Sequence, residues 1–548
     1  MSTIIESESL RRLEQERLDR LKTARERNKL GQFATPPALA LDIAKFVWNH
    51  VKSLSENRAR RGGQSPFAPD HRTMVPAPQK GTVPGGSRKR KGRFAFLDPA
   101  IGTGSFFAAL MQAFPADRIE RATGIEIDKL FADAAASIWA ERGLQVVRGD
   151  FADRKPDELY NVVLTNPPYV RHHHLTGKQK QRLMQLAFEA TGLRLSGLSG
   201  LYCYFLLIAH SWMAERGIAA WLIPSEFMDV NYGDQVKRYL TEQVSLLRIH
   251  RFCPSDVQFD DALVSSAIVV FEKSAPKPDH KTVVSFGGTL AKPAKSQSIS
   301  LAELRETRKW TSLPRQARNG FQRAHVTLGD LFTVKRGIAT GANSFFIVPK
   351  SELRRLGIPL EVVRPILPSP RFLAHQTIEA DANGWPVLDR QLALIDCRFA
   401  EEVVREKWPR FWSYLESGKK EGIADGFLTS RRSPWYSQEK RAVPTLLCTY
   451  MGRSVERPFR FIWNKSGAIA ANVYLLLYPK PHVAATVAAR GAEVLAALAA
   501  ICPRQLSGAG RVYGGGLYKV EPAELMRVPA DELARLLGTT IDLQRSLF

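Results

Sequence analysis

Asn161-Val162-Val163-Leu164-Thr165-Asn166-Pro167-Pro168-Tyr169 is the stretch from which the fold can be read. Its first five residues form a short run rich in β-branched side chains, too short for a helix and suited to a buried parallel strand. Two successive prolines then end regular pairing and fix φ, so the chain leaves the strand as a stiff, extended turn. Such a turn holds an Asn amide, a proline carbonyl and an aromatic ring at the carboxyl edge of a sheet, where open α/β folds bind ligands. The Asn166 amide oxygen and the Pro167 carbonyl are both acceptors, and together they can take the two hydrogens of one amino group. Tyr169 adds a flat face. The expected occupant is a flat molecule with an exocyclic NH2. Taken alone, the same residues would serve equally well as a strand and a proline turn with nothing bound, so the neighbouring stretches decide.

At 548 residues the chain has room for two or three domains with real cores. A net charge of +24, from 78 Lys and Arg against 54 acids, points to a polyanionic partner. No apolar span is long enough to cross a bilayer, and the N-terminus is charged rather than signal-like, so no membrane role is expected. Cys203, Cys253, Cys397, Cys448 and Cys502 are scattered without metal-type spacing and read as free thiols in a reducing cytoplasm.

From about Glu8 to Asn28 the chain is highly charged, and Leu10, Leu13, Leu18 and Leu21 give a helical stripe. Residues 1–30 are therefore expected to form an amphipathic helix lying on the main domain. Gly31-Gln32-Phe33-Ala34-Thr35-Pro36-Pro37 follows, with Thr35 as N-cap and Pro36 at the first position of a helix running to about His50. Residues 57–93 shift to Pro, Gly, Ser, Arg and Lys without periodicity and read as a flexible basic insertion.

Three further strand ends carry matched chemistry. Phe94-Ala95-Phe96-Leu97-Asp98-Pro99-Ala100-Ile101-Gly102-Thr103-Gly104 is a buried strand, a glycine turn and a helix start, and its glycines let a ligand approach the backbone. The spacing fits neither a dinucleotide fingerprint nor a P-loop, and Asp98 would repel phosphate and suit a cationic amino group. Thr123-Gly124-Ile125-Glu126-Ile127-Asp128 ends in acids of the kind that take ribose hydroxyls. Val146-Val147-Arg148-Gly149-Asp150-Phe151 ends in an acid and a ring suited to the amino group and face of an adenine. Each is common alone, since acids after strands often only cap the next helix. Four in order are a pattern.

In that order these motifs resemble the gamma class of adenine-N6 DNA methyltransferases, of which TaqI-like restriction–modification enzymes are the best-known members. The resemblance continues through Leu201-Tyr202-Cys203-Tyr204-Phe205, Trp221-Leu222-Ile223-Pro224-Ser225, and Phe259 ahead of Val264–Phe271, and it spans roughly residues 28–275. It implies a class I S-adenosylmethionine-dependent methyltransferase fold over residues 31–275, a seven-stranded and mostly parallel sheet whose last strand is antiparallel. It implies S-adenosylmethionine as cofactor, with Thr35, Asp98, Ala100, Gly102 and Gly104 at the methionine end, Glu126 at the ribose, and Ile127 among the cofactor-binding residues. Asp150, Phe151 and Phe205 would hold the cofactor adenine. Asn166, Pro167, Pro168 and Tyr169 would carry the catalysis, with Phe259 as a second stacking aromatic. No metal is expected, because a sulfonium methyl is already activated. The target adenine would flip out of double-stranded DNA.

Residues 273–300, rich in Lys, Pro and Ser, read as part of a connection placed over 276–324. Leu328–Phe332, Arg336–Asn343 and Arg511–Pro522 resemble the start and end of a target-recognition domain, expected to be an α/β unit over 325–548 facing the first domain across a basic cleft. Arg171-His172-His173-His174 suggests phosphate contact or plain solvation. A monomer is expected, cytoplasmic and bound to the nucleoid through DNA. Any cleavage of the same site would fall to a separately encoded restriction endonuclease. Protein-glutamine and ribosomal-RNA amino methyltransferases share the Asn-Pro-Pro-Tyr turn and are the competing enzyme reading. An inactive DNA-specificity protein is the competing non-enzyme reading.

Overall fold

The computed structural model describes residues 3–23, 26–27, 30–60, 93–253, 265–314, 326–454, 456–501, 505–506, 510–513 and 517–538. Phe259, most of the basic insertion, Cys502 and Gly514-Gly515-Gly516 lie outside them. The chain divides into two units, Met1–Arg318 and Asn319–Phe548.

The first unit is built on one sheet. Its strands are β1 (Phe94–Asp98), β2 (Ile119–Glu126), β3 (Leu144–Arg148), β4 (Tyr160–Thr165), β5 (Met213–Pro224), β6 (Ser245–Arg251), β7 (Ser266–Glu272), β8 (Lys281–Gly288) and β9 (Pro293–Ser300). They lie in the order 3-2-1-4-5-7-6-8-9. β1 to β5 are mutually parallel, and β7 runs antiparallel between β5 and β6. Alternation along each strand loads both faces. Leu97 and Val163 pack into one core, and Phe96, Val162 and Leu164 into the other, as a sheet covered on both sides requires. The winding reverses between β1 and β4, so the carboxyl ends of β1, β2 and β4 open together at the switch point where such sheets bind ligands.

The sheet has nine strands rather than the seven expected. Residues 281–300, read as a connection, form a hairpin in which β8 pairs parallel with β6 and antiparallel with β9. β9 is a mostly exposed edge strand, PAKSQSIS, and its lysines and serines belong to an edge that must not recruit further strands. That composition hides it from a search for buried runs.

Two helices also depart from expectation. The second runs from Pro37 to Arg60, past His50 and into the first residues of the insertion. The first, α1 (Ile4–Arg20), is closed by a capping box between Thr3 and Glu6. Its leucine stripe is not its seat: Leu10, Leu13 and Leu21 are 55%, 66% and 57% exposed, and of the four only Leu18 is buried. The buried face runs through Ser7, Arg11 and Leu18, and Leu18 packs on Phe131 and Ala134. Polar bonds from Arg11 and Gln15, not leucine burial, set the rotation of the helix.

The second unit is mixed α/β. A five-stranded sheet orders Phe332–Arg336, Tyr474–Pro479, Leu446–Thr449, Phe461–Asn464 and Thr377–Ile378, with two three-stranded sheets beside it. The Arg336–Asn343 segment is held by Arg432, which donates to the Ala339 and Thr340 carbonyls.

Candidate active site

Asn166 stands one residue past β4, and two elements orient it. Its Nδ2 donates to the Phe33 carbonyl at 3.0 Å and to Thr35 Oγ1 at 3.1 Å. A carbonyl can only accept, so the amide is fixed with its nitrogen towards residues 33–35. Its Oδ1 is buried and has no partner. A buried acceptor left unmade costs about 1–3 kcal/mol, which marks it as kept for something else.

The segment 31–35 is pressed against the same turn. Tyr169 N donates to the Gly31 carbonyl, and Gly31 has φ +66°. A Cβ there would stand 2.4 Å from Tyr169 N, so this position needs glycine for conformation and for space. Thr35 thus holds Asn166 rather than capping a helix through its side chain. Ser105 Oγ binds its carbonyl at 3.2 Å.

Tyr169 differs from the open platform expected. Its ring is 6% exposed, its hydroxyl donates to the Leu222 carbonyl at 3.0 Å, and Phe33 lies over it at 5.4 Å between centroids. Pro167 is buried and Pro168 half-buried.

At the end of β1, Asp98 is buried and accepts from Thr165 Oγ1 at 2.6 Å and from Ala100 N at 3.0 Å. Burial pushes its carboxyl up to about 7, against the pull of those two bonds. Gly102 has φ +56°, and a Cβ on it would meet no atom within 4 Å, so the turn opens onto free space. Gly104 serves packing instead: a Cβ would collide with the Trp139 indole, whose Nε1 donates to the Thr103 carbonyl.

At the end of β2, Glu126 is buried, and burial raises its carboxyl. Its two oxygens accept from Gly102 N and Asp128 N, each at 2.9 Å. Ile127 beside it is 67% exposed, an apolar side chain offered at the edge next to a buried acid. Asp150 accepts from Ala152 N and caps a short turn. Phe151 and Phe205 are buried against each other and, through Phe151, against Trp212, so they form a wall rather than free faces. His172 to His174 make an exposed single turn.

The sheet therefore gathers Thr35, Asp98, Ala100, Gly102, Glu126, Ile127 and Asn166 at one edge. Sequence reasoning missed Phe33, Thr165, Arg11, Gln15 and Lys22. Phe33 contributes a main-chain carbonyl, Thr165 lies in the strand next to Asn166 but acts on Asp98, and Arg11, Gln15 and Lys22 sit where no motif spacing points to them.

Known proteins align with this arrangement. Residues 118–259 match the family described as Eco57I restriction-modification methylase, and residues 309–544 match the C-terminal domain of type II methyltransferase M.Eco57I. The type II methyltransferase M.XamI of Xanthomonas campestris pv. amaranthicola is 28% identical over 451 residues, covering 80% of this chain and 81% of the relative. M.AccI of Acinetobacter calcoaceticus is 24% identical, covering 81% and 82%. A tRNA1(Val) (adenine(37)-N6)-methyltransferase of Actinobacillus pleuropneumoniae is 28% identical over 131 residues, 23% of this chain and 50% of that one. Among solved structures, the Type IIL restriction-modification enzyme MmeI in complex with DNA shares the fold at a TM-score of 0.56 and 12% identity, covering 93% of this chain and 69% of its own. With two family matches in successive parts of the chain and relatives aligned along four-fifths of it, the chain is similar to the methyltransferases of type II restriction–modification systems.

Proposed function

We propose that the chain methylates the N6 amino group of an adenine in double-stranded DNA, using S-adenosylmethionine. One observation carries the reading: the buried, unpartnered Oδ1 of Asn166, on an amide whose nitrogen is already committed. What satisfies it must be a donor, and an exocyclic amino group is one. The adenine-N6 activity named for the tRNA relative, which shares part of this region, supports adenine over cytosine. The type II relatives, aligned along both units, support DNA over RNA or protein.

The residues present fit the cofactor. Asp98 is a buried acid suited to an ammonium, Gly102 leaves open space above the turn, and Glu126 with Ile127 pairs a hydroxyl acceptor with an apolar face. Asp150 is assigned to the adenine amino edge. When bound, S-adenosylmethionine supplies a methyl group already activated by its sulfonium.

The amino nitrogen of adenine is a poor nucleophile because its lone pair is delocalised into the ring. Asn166 Oδ1 and the Pro167 carbonyl would accept its two hydrogens and favour the pyramidal form with a free lone pair. These bonds strengthen as positive charge grows on nitrogen, so they act on the transition state more than on binding. The base must leave the duplex to reach them. Tyr169 and Phe259 are assigned to hold it, Tyr169 after Phe33 shifts from its ring. The second unit is assigned to target recognition, with Arg336–Asn343 at its start.

Single-molecule sequencing of DNA from a methylation-free host expressing the protein tests this directly. N6-methyladenine at one recurring sequence is expected. N4-methylcytosine instead, or no modified base, would overturn the assignment.

A further inference from the structure

α1 is tied to the edge of the sheet by buried charge. Arg11 is 2% exposed. Its Nε and Nη2 donate to the two oxygens of Glu8, both at 2.7 Å, and its Nη1 donates to Thr103 Oγ1 at 3.0 Å. The Thr103 hydroxyl in turn donates to Gln15 Oε1 at 2.8 Å. Just beyond the helix, Lys22 bonds the Asp128 carboxylate and Gln32 Oε1, and Gln32 Nε2 donates to the same carboxylate. Burial would raise the Asp128 carboxyl, but the bonds from Lys22 and Gln32 outweigh it and hold it below its ordinary value.

The two anchored residues flank one acid. Glu126 is aimed by two main-chain N–H groups, those of Gly102 and Asp128. Arg11 grips Thr103, the neighbour of the first, and Lys22 grips the second itself. Trp139 Nε1 donates to the Thr103 carbonyl, so Thr103, next to Gly102, is held through both its carbonyl and its hydroxyl once Arg11 is in place. A buried ion pair is a weak device for stability, and an apolar side chain would seat a helix as well. What charge adds here is register: a planar guanidinium with three committed donors fixes where the glycine turn lies.

We propose that Arg11 is a positioning residue of the cofactor site, acting through Thr103 and Gly102 to preset the Glu126 carboxylate for the cofactor's ribose hydroxyls. α1 is then a working wall of the site rather than a helix merely resting on the domain. The inference rests on the S-adenosylmethionine reading above.

Calorimetry with S-adenosylmethionine on the full chain tests it, alongside methyl transfer at saturating cofactor. Arg11→Met is expected to weaken the cofactor Kd about tenfold, the scale of one charge-assisted hydrogen bond, and to leave kcat at saturation within about twofold. Thr103→Val should show the same split, and it serves if Arg11→Met does not fold. In a Glu126→Gln background, Arg11→Met should add almost nothing, because the group it positions is gone. A wild-type Kd in Arg11→Met, or losses that simply add to those of Glu126→Gln, overturns the inference while the cofactor reading stands. Failure of the wild-type protein to bind S-adenosylmethionine overturns that reading and this inference with it.

Discussion

At the scale of single residues, Asn166 and Asp98 carry the most testable chemistry. Asn166→Ala removes the acceptor and leaves Pro167 alone. By analogy with losing one preorganised polar group, about 3 kcal/mol of barrier, roughly a hundredfold in rate, is at stake. Single-turnover methyl transfer with DNA saturating measures it, and a wild-type rate would remove Asn166 from the chemistry. Asp98 makes a pH prediction. Folded, its carboxyl keeps its proton to about pH 7; unfolded, it releases it near the ordinary value of 3.8. Its contribution to stability is therefore full below the lower value and is lost as pH rises through the higher one. A cofactor ammonium prefers the carboxylate, so the rise in Tm on adding S-adenosylmethionine should grow between about pH 6 and about pH 8. Asp98→Asn should flatten that trend. A trend unchanged in the variant would show that another group titrates. The Asn166 signal was legible from residue type and spacing, whereas the partners that turn its amide, Phe33 and Thr35, lie more than a hundred residues away in sequence.

At the scale of elements, α1 and the segment before the second helix show where periodicity misleads. Four leucines at helical spacing look like a buried stripe, yet only one is buried, because polar contacts to Thr103 set the rotation. Leu18→Ala should cost about 2–3 kcal/mol in chemical denaturation, while Leu13→Gln should stay within about 0.5 kcal/mol. Equal losses at both positions would mean that the leucine face is the seat after all. Gly31 argues the complementary case. Gly31→Ala forces a Cβ into Tyr169 N at a positive φ, so roughly 1–3 kcal/mol of stability should go. Methyl transfer should fall with it, because residues 33–35 orient Asn166. A variant of normal stability and activity would detach this segment from the site.

At the scale of the whole molecule, the excess of 24 positive charges is the dominant feature. If DNA is the partner, its binding should weaken steeply with salt. A slope of log affinity against log salt of roughly −5 to −9 is expected for six to ten phosphate contacts. Filter binding or anisotropy across a salt series reads this directly, and a flat response would mean that the charge serves something other than the phosphate backbone. The two units are separately packed, with hydrophobic cores of their own. Their division falls within the stretch expected to connect them, but the first half of that stretch is sheet rather than linker.

The sequence by itself determined where β1, β2 and β4 run and which side chains stand at their ends. Buried runs that stop at Asp98, Glu126 and Asn166 need only local rules of burial, φ restriction and hydrogen-bonding capacity to be recognised. Those rules also predict that parallel neighbours place these ends at one edge. Tertiary structure decided what faces outward and what holds the site in place. Tyr169, Phe151 and Phe205 are aromatic wherever they sit, but whether such a ring is a platform or a wall depends on what packs over it. β9 is polar because it lies at the edge of the sheet, and only its pairing with β8 shows it to be sheet. The buried Arg11 has no signature in its neighbours, since a guanidinium loses its solvent only when Glu8 and a distant glycine turn close around it.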